Sequence, residues 1–595
     1  MTAPVAVVDG GSHMRPGRWM LALLLVFAIA WFGGLGHRKL IKPDEGRYAE
    51  IPREMVVSGD WLTPRLNGLK YFEKPPLQYW TTAAAYETFG VSEWTSRLWT
   101  ALTGFAGVLV VGFTATRLYD RRTGLFSATV LASGLAYVLL GHFNTLDMGL
   151  ALFITMTWCA VLLARDARVR DDDPDAHCGS GRRGRPSHAK RWMMVAWAAM
   201  ALATLSKGPV AVVLSGGALV AYLVMSRDWK LLGMLAPVRG LALFVLIAGP
   251  WFIAVSRANP EFAHFFFIHE HVERFLTTEH RREGPIWYFV PVLLAGLLPW
   301  LSVAAPAMLL AWRAPARGGF APERLMLALI GVVFVFFSLS GSKLPSYILP
   351  VFPAFAILIG RRLATIGRAA LKRHLIFIAV LAVVAVATIA FVPLDSSDSA
   401  DAIAAFRLTA FASMTAWLVG TLIAIGLALR DRATGAIVAA GLAALVGWSS
   451  LLLGHEVLGR GMSTYDLARD MKPFIAADTP IYSVGLFEHT LDFYLQRPVT
   501  LVAFRDELDF GLTQEPHQGI ATLPAFIARW NADRAPLAIM ADDVFDTLTV
   551  ARLPMRVVAR DGRRIVVGKP PADPTDAPQD RPVPPAAPAQ TRTPS

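Results

Sequence analysis

Apolar runs of bilayer length recur along most of this chain, and they constrain its fold more than any other feature. A helix needs about 20 mostly apolar residues to cross a hydrocarbon core about 30 Å thick, and lipid leaves the backbone no other hydrogen-bond partners. The sequence therefore predicts an α-helical polytopic membrane protein with about 13 transmembrane helices. The runs lie near 19–36, 94–116, 124–141, 148–164, 192–206, 208–225, 233–255, 287–311, 324–340, 345–360, 374–393, 408–429 and 433–454.

Composition agrees with this class, because 54% of the 595 residues are hydrophobic and only 17% are charged. The formal net charge of +12 does not indicate nucleic acid, since the basic residues lie mostly in short connectors between the apolar runs. We therefore expect no nucleic-acid partner. Cys159 lies in an apolar run and Cys178 in a basic connector, so the cysteines indicate neither a disulfide framework nor a thiolate metal site.

The distribution of basic connectors predicts the orientation. Lysine- and arginine-rich connectors remain in the cytoplasm, so every second connector is expected outside. The outer set comprises 37–93, 142–147, 206–209, 256–286, 341–347, 394–407 and everything after about 455. The first run lacks a small-residue cleavage pattern behind it and is expected to be a retained span. Residues 1–18 are expected to be a disordered cytoplasmic N-terminus, in which Gly-Ser-His-Met at 11–14 has the form of a cloning scar.

The densest charge cluster of the chain directly follows the first span, within residues 41–55 of the first outer loop, 37–93. Ionised side chains so close to lipid are costly and indicate a functional site. The alternative is a solvated loop whose long side chains reach the interface. The cluster consists of Asp44, Glu45, Arg47, Glu50, Arg53 and Glu54.

Two further features of the outer connectors carry charge. Glu73 and Lys74 stand between an aromatic pair and two prolines in Tyr-Phe-Glu-Lys-Pro-Pro at 71–76, a stiff turn that holds either a functional pair or a plain surface ion pair. Asp147 stands alone at the outer mouth of two helices, where it is either a functional carboxylate or the cap of the 148–164 span.

Two outer segments combine charge with aromatic residues. Residues 259–283 predict an amphipathic interfacial helix whose phenylalanines enter the headgroup boundary. The same segment holds possible ligands for a divalent metal in His269, Glu270, His271 and His280. In Gly-Ser-Lys-Leu-Pro-Ser-Tyr-Ile-Leu-Pro at 341–350, Lys343 and Tyr347 stand at the outer end of a span, where the lysine either holds a lipid phosphate or extends to the interface.

Composition changes after the last span. Residues 465–471 and 523–530 have a helical pattern. These helical segments alternate with strand-like runs at 480–484, 499–502 and 536–540. A hairpin is predicted over 555–567, with its turn at Asp561-Gly562. We predict a transmembrane domain over 19–454, a soluble α/β domain over 455–569 and a disordered tail over 570–595.

Together these motifs resemble a known family. The octet Pro-Asp-Glu-Gly-Arg-Tyr-Ala-Glu at 43–50, Ser-Gly-Asp-Trp at 58–61, Tyr-Phe-Glu-Lys-Pro at 71–75, Asp147 and the motif from Ser342 are similar to the bacterial branch of the protein O-mannosyltransferase family. The closest similarity is to the aminoarabinose transferases that modify lipid A. This resemblance implies a GT-C glycosyltransferase, an undecaprenyl phosphate-linked sugar donor, a lipid A phosphate as acceptor, and a site on the periplasmic leaflet of the inner membrane.

The resemblance also implies roles for individual residues. Arg47, Lys74 and Lys343 would stabilise the leaving phosphate, Arg47 and Lys74 foremost because they come from two stiff turns of one loop. Tyr48, Tyr71 and Tyr347 would join them in donor binding. Asp44 would act as a base for a hydroxyl acceptor, or would orient the acceptor or hold the sugar amine.

Other implied roles concern the amine, the metal and the acceptor. Glu73 and Asp147 are candidates for the sugar amine or for a metal, and Glu73, His269, His271 and His280 are the metal candidates. Arg274, Arg281 and Arg282 would dock the anionic acceptor, with Arg65 and Lys70 as further candidates. No cofactor is required, although a divalent metal of unknown identity is possible, and we expect a monomer.

Two alternatives remain at this stage. A relative that transfers mannose or another hexose to protein or lipid would look similar in the first loop and differ in its sugar pocket. A flippase of polyprenyl-linked sugars is a different class, but it should show polar residues in mid-span, and no inverted hydropathy repeat is evident here.

Overall fold

The structure is a computed structural model that describes residues 16–171, 187–273, 284–392 and 399–570. Within these ranges the chain forms a helical bundle followed by a sheet-containing unit, which confirms the predicted fold class. Most of the N-terminal segment predicted over 1–18, and the tail from 571, lie outside the described residues. The domain boundaries stay predictions.

The first outer segment is folded. Helix α1 is Pro16–Phe32, α2 is Asp44–Ser58, the strands β1 and β2 are Arg65–Leu66 and Leu69–Lys70, and α3 is Leu77–Phe89. Helix α2 begins with Asp44 and Glu45 in its first turn, where carboxylates are favourable beside the helix N-terminus. It ends at Gly59, whose left-handed φ of 72° allows its N–H to bond back to Met55.

The bundle continues with helices that alternate with short connectors. They are α4 (Glu93–Leu118), α5 (Arg121–Ser133), α6 (Leu135–Leu140), α7 (Asp147–Asp171), α8 (Ser187–Lys207), α9 (Val210–Ser226), α10 (Lys230–Met234), α11 (Pro237–Ala258) and a π-helix (His264–Glu273). A capping box of Ser92 and Thr95 starts α4.

The second half of the bundle includes a broken span. Its helices are α12 (Phe289–Gly296), α13 (Leu301–Trp312), α14 (Pro322–Leu339), a 3₁₀ turn (Pro345–Ile348), α15 (Val351–Ala364), α16 (Arg368–Phe391), α17 (Ala400–Leu429) and α18 (Ala433–Gly454). Helices α12 and α13 meet at an angle of 103° across a short break.

Each of the thirteen predicted runs overlaps one helix or two consecutive helices. Among the described residues, seven helices are long and apolar enough to cross a membrane on their own, and the bent pair α12–α13 makes an eighth. Helices α1 and α9 are apolar but shorter. The chain is therefore a multi-pass membrane protein, and the count of thirteen crossings stays a prediction.

After α18, six strands within residues 399–570 form one sheet in the order β5-β4-β3-β6-β8-β7. The strands are β3 (Ile481–Val484), β4 (Thr500–Val502), β5 (Gly519–Ile520), β6 (Leu537–Met540), β7 (Arg556–Arg560) and β8 (Ile565–Gly568). Strands β3, β4, β5 and β6 are parallel to one another, and β8 pairs antiparallel with β6 and β7. Each predicted strand and the predicted hairpin are confirmed, and β5 was not predicted.

Helices connect these strands. They are α19 (Glu456–Gly459), α20 (Tyr465–Met471), α21 (Leu491–Leu495), α22 (Asp509–Gln514), α23 (Leu523–Ala532) and α24 (Asp542–Val550). Short 3₁₀ turns lie at Arg460–Met462, Lys472–Phe474, Asp506–Leu508 and Pro516–Gln518.

One face of the sheet shares its core with the outer membrane segment. Side chains alternate between the faces of a strand, so Ile481 and Ile539 enter one apolar cluster whereas Tyr482 and Met540 enter another. The first cluster also contains Leu40, Ala49 and Tyr86 from the segment around α2 and α3. The sheet unit therefore packs directly on the segment that carries the predicted site.

Candidate active site

Arg47 lies at the centre of the charged residues of α2. Its side chain is only 6% exposed, and its guanidinium group forms an ion pair with Glu507 of the sheet unit. Asp44, one turn earlier on the same helix, has its Oδ1 3.6 Å from Nη1 of Arg47, just beyond hydrogen-bond range. Nε of Arg47 is buried and has no hydrogen-bond partner among the described residues. The arginine is thus held at one end and leaves a donor unused.

Three tyrosines surround this guanidinium group. The rings of Tyr48 and Tyr71 each lie with their centroids 5.8 Å from its carbon atom. The Tyr79 ring centroid is 6.2 Å from that of Tyr48. The hydroxyl groups of Tyr71 and Tyr79 are buried without a hydrogen-bond partner in the described part of the chain. Burial raises the pKa of both hydroxyls, so they stay protonated donors near neutral pH.

A second group joins three separate parts of the bundle. Asp147 at the start of α7 forms an ion pair with Lys207 at the end of α8. The Lys207 ammonium group also lies 4.9 Å from the ring centroid of Tyr347, in the 3₁₀ turn that follows α14. A cap role alone therefore does not describe Asp147, because its carboxylate neutralises a lysine from another helix.

The two groups lie within electrostatic range of each other. The Asp44 carboxylate is close enough to act on the Lys207 ammonium group. Asp44, Arg47 and Glu73 all act on the Tyr79 hydroxyl. Residues from α2, α3, the 71–76 segment, the start of α7 and the end of α8 therefore lie in one region.

Glu73 and Lys74 belong to a third charged group of this region, together with Glu270. The Lys74 ammonium group lies 3.2 Å from Oε2 of Glu270 in the π-helix and 3.8 Å from Oε2 of Glu73. It also donates to the backbone carbonyl of Glu73 at 2.8 Å. The side chains are 15% exposed for Lys74 and 2% for Glu270, so this is not a solvated surface pair.

Lys343 is bound differently from the other candidate cations. Its ammonium group is buried and donates to the carbonyls of Ser338 and Ser340 at 3.2 and 2.6 Å, at the C-terminal end of α14. Cations at that position satisfy carbonyls that the helix leaves unpaired. The structure therefore places Lys343 in a helix-end contact, and its roles at the interface and in phosphate binding stay predictions.

A buried ion pair fixes the base of α2. Arg97 of α4 binds both oxygens of Glu45 at 2.7 and 2.9 Å and also donates to the carbonyls of Leu35, Arg38 and Lys39. Burial by itself would raise the pKa of Glu45, but the adjacent Arg97 holds it below the ordinary value. This pair ties the first turn of α2, which carries Asp44, to the membrane bundle.

The aromatic stripe near 259–273 packs differently from the prediction. Phe262 and Phe266 are fully buried and stack on each other with their centroids 5.3 Å apart. Phe262 also meets Phe72 and Trp251 edge-on at 5.2 and 5.3 Å. The prediction that these phenylalanines enter the headgroup boundary is wrong for both, because they pack on the first outer segment instead.

Metal binding finds no support within the described residues, where no three His, Cys, Asp or Glu side chains form a group able to hold a metal ion. Of the four metal candidates, His269 stacks on Phe265 at 5.1 Å and lies 3.9 Å from Glu270. Glu73 contacts Lys74 instead. The remaining predicted residues fall outside the described side chains, namely His271, Arg274, His280, Arg281 and Arg282.

One prediction about the outer charge cluster needs correction. It is neither a solvated loop nor a stiff turn at Arg47, because residues 44–58 form helix α2 and most of its charged side chains are buried. Arg65 and Lys70, predicted as possible acceptor contacts, form ion pairs with Glu515 at 3.0 Å and with Glu261 at 2.7 Å.

Sequence reasoning missed several members of the site. Lys207 was treated only as part of the connector 206–209, and Tyr79 as one more residue of the first outer loop. His489 and Glu507 belong to the sheet unit, more than 400 positions from Arg47, and no local pattern marks them. Only Lys207 had a signal in the sequence that could have marked it as a site residue, because it is a charged side chain at the outer end of a span.

Comparisons with known proteins agree with this architecture. Residues 18–266 match the family described as dolichyl-phosphate-mannose-protein mannosyltransferase, and residues 467–569 match the aminoarabinose transferase C-terminal domain. The crystal structure of ArnT from Cupriavidus metallidurans bound to undecaprenyl phosphate superposes with a TM-score of 0.85 at 36% identity. That match covers 92% of this chain and 98% of the other.

Proteins with similar sequences are also named as aminoarabinose transferases. The undecaprenyl phosphate-alpha-4-amino-4-deoxy-L-arabinose arabinosyl transferase of Erwinia tasmaniensis is 33% identical over 60% of this chain. The second such transferase of Sodalis glossinidius is 34% identical over 61% of this chain. The matched region spans 62% of the length of each relative.

Proposed function

Because the chain belongs to the family of undecaprenyl phosphate-α-4-amino-4-deoxy-L-arabinose arabinosyl transferases, we propose that it is a glycosyltransferase with the same reaction. It moves 4-amino-4-deoxy-L-arabinose from undecaprenyl phosphate to phosphate groups of lipid A. The site faces the periplasm at the inner membrane, and the product confers resistance to polymyxin and other cationic peptides.

One observation carries the proposal: a buried arginine retains an unused donor beside unused tyrosine hydroxyls. Nε of Arg47 and the hydroxyl of Tyr71 are buried and unpartnered in the described part of the chain. Leaving such groups unsatisfied costs about 1–3 kcal/mol each. Natural sites retain this cost where a ligand supplies the acceptor, and phosphate oxygens suit an arginine fork. Arg47 and Tyr71 are therefore the core of a donor phosphate site.

The chemistry requires stabilisation of a leaving phosphate. The bond between the anomeric carbon and the carrier phosphate oxygen breaks with its electron pair on that oxygen. A phosphate oxygen of the acceptor forms the new bond to the same carbon. Positive charge develops on the sugar ring and negative charge on the carrier phosphate, so fixed cations lower the barrier at that oxygen. Arg47 and Lys74 supply these cations from two segments of the first outer loop.

The carboxylates have a different task, because a lipid A phosphate is already ionised and needs no general base. Asp44 and Asp147 hold the sugar and the acceptor in line for attack, and they face the 4-amino group of the sugar. Carboxylates outnumber cations in the described part of this region, which suits a cationic sugar better than a neutral hexose. The carboxylates are Asp44, Glu73, Asp147, Glu270 and Glu507, and the cations are Arg47, Lys74 and Lys207.

The test is expression of this chain in a strain that lacks its own aminoarabinose transferase, followed by mass spectrometry of lipid A. We expect aminopentose added to the phosphate groups with the wild type. Asp147→Asn and Arg47→Ala should lose at least 90% of this product, about tenfold or more, because they remove a fixed charge from the reacting region. Arg505→Ala, an exposed change on the sheet unit, should keep full activity.

Three outcomes decide between the alternatives. Unmodified lipid A in cells that contain folded wild-type protein would reject the proposal. Hexose on lipid A or on secreted protein would favour the hexosyl transferase. With purified protein, a donor whose sugar amine is acylated should react at least tenfold more slowly than the amine, and equal rates would remove the carboxylates from sugar selection.

A further inference from the structure

The sheet unit touches the first turn of α2 at backbone level. A Cβ atom added at Gly46 would lie 2.4 Å from the carbonyl oxygen of His489 and 2.8 Å from a methyl group of Thr490. Only glycine allows this approach. Arg47, the next residue along the chain, therefore emerges directly beside the 487–490 loop.

Glu507 connects this loop to Arg47. One of its carboxylate oxygens forms the ion pair with Arg47, and the other contacts Nε2 of His489. Nη2 of Arg47 is also 3.5 Å from the same His489 nitrogen. The exposed fractions are 6% for Arg47, 17% for Glu507 and 14% for His489, so the three side chains form a largely enclosed group.

Glu507 remains ionised in this environment. Burial by itself would raise its pKa, but the charge of Arg47 and the hydrogen bond from His489 hold the pKa below the ordinary value. The 3₁₀ turn Asp506–Leu508 fixes its backbone at the start of α22. The carboxylate is thus a rigid, charged anchor supplied by a different part of the chain from the arginine.

We propose that Glu507 is a positioning residue of the transferase site, which acts through Arg47 and makes the sheet unit a necessary part of that site. This inference rests on the proposed function. Glu507 does not touch the donor itself. It holds one end of the Arg47 guanidinium group, so that the unpartnered Nε stays directed toward the donor phosphate.

Asp44 explains why such an anchor is needed. Its carboxylate is 3.6 Å from Arg47 and is the nearest alternative partner on the same helix. Arginine side chains have several rotatable bonds, and one without an anchor would turn toward the closest carboxylate. Arg47 would then lose its phosphate-binding geometry, and Asp44 would become unavailable to the sugar or the acceptor. Glu507 limits the contact between Arg47 and Asp44 to the 3.6 Å ion pair of the structure, which is longer than a hydrogen bond.

The test is a double-mutant cycle on the full-length protein in detergent or nanodiscs, with transfer from the undecaprenyl phosphate-linked aminopentose to lipid A as the assay. In the wild-type background, Glu507→Gln should lower kcat/KM at least tenfold, and Glu507→Asp should restore part of it. In an Arg47→Lys background the same Glu507→Gln change should alter kcat/KM less than threefold, because the fork that Glu507 orients is gone.

A purely structural role predicts another pattern. If Glu507 only joins the sheet unit to the bundle, its substitution should lower kcat/KM equally in both backgrounds and lower the temperature of unfolding. That result would overturn the inference. Asp509→Asn, which removes an exposed ion pair with Arg505 on the same segment, is the matched control and should stay within twofold of wild type.

The two proposals fail in different ways. Wild-type protein that is folded but transfers no aminopentose overturns the proposed function and this inference together. An active wild type whose Glu507→Gln variant is equally active overturns the inference and leaves the proposed function standing.

Discussion

Gly46→Ala offers a sharp test of how the sheet unit and α2 meet. Alanine in place of glycine within a helix usually stabilises by about 1 kcal/mol. At Gly46, however, the new Cβ would lie 2.4 Å from the carbonyl oxygen and 2.6 Å from the carbonyl carbon of His489. Both are backbone atoms, so no side-chain rotation relieves the contact, and overpacking costs about 1–3 kcal/mol or more. The net expectation is a loss of about 1–2 kcal/mol.

The change should also disturb Arg47 in the candidate site, because His489 contacts Glu507 and Glu507 pairs with Arg47. We expect Gly46→Ala to unfold at a lower temperature than wild type in detergent and to lose transferase activity out of proportion to the unfolded fraction. The matched control is Gly331→Ala on α14, where a Cβ would have open space within 4 Å. That variant should unfold at the wild-type temperature or above it. A Gly46→Ala protein as stable and active as wild type would refute the described contact.

Three further substitutions test the chemistry of single groups. Tyr71→Phe removes a buried hydroxyl without a partner, so the free energy of unfolding should not fall, whereas the KM for the donor should rise severalfold in steady-state kinetics. Arg97→Lys cannot reproduce the bidentate bond to Glu45 and should lower the free energy of unfolding by about 3–5 kcal/mol, measured by thermal or denaturant unfolding. Burial and the neighbouring Glu50 raise the pKa of Glu54 to about 8. The folded state therefore retains a proton on Glu54 that the unfolded chain loses above about pH 4.5, so the free energy of unfolding falls as the pH rises from about 5 to 8. Glu54→Gln should flatten this part of a plot of unfolding free energy against pH. An unchanged slope would contradict the assignment to Glu54.

Local pattern was sufficient to predict most of the elements. The apolar runs and the alternating strands reflect helix and strand periodicity, which depend on neighbours in sequence. The strand pattern at 536–540 and the Asp561-Gly562 turn therefore correspond to β6 and to the β7–β8 hairpin. Local pattern alone did not predict helix α2, because its charged residues resemble a solvated loop until their partners are known.

Those partners come from distant positions. Glu45 pairs with Arg97, 52 residues away, and Arg47 pairs with Glu507, 460 residues away. Pairing at such separations depends on tertiary packing, which leaves no periodic trace in one sequence. The first outer loop could be predicted as the location of the site, because ionised side chains at a membrane surface are costly. The sheet unit's contribution could not be predicted on that ground, because charged residues are ordinary in a soluble unit.

Charge pairing in the described site shows how a cation can keep its carboxylate partner and still bind a phosphate. Each foremost cation already has a carboxylate partner: Arg47 has Glu507, and Lys74 has Glu270. A buried ion without such a partner would destabilise the protein, so the pairs are needed before any substrate arrives. A phosphate must then either displace a carboxylate or use donors that remain. The Lys74 ammonium group has three N–H donors, and among the described residues two of them already bond to Glu270 and to the backbone carbonyl of Glu73, so it has fewer donors left for a phosphate. The arginine has five N–H donors in a fixed fork, and its Nε is unpartnered, so it can hold Glu507 and a phosphate together. In the proposed site, Arg47 can therefore bind the donor phosphate without a prior rearrangement of its ion pair.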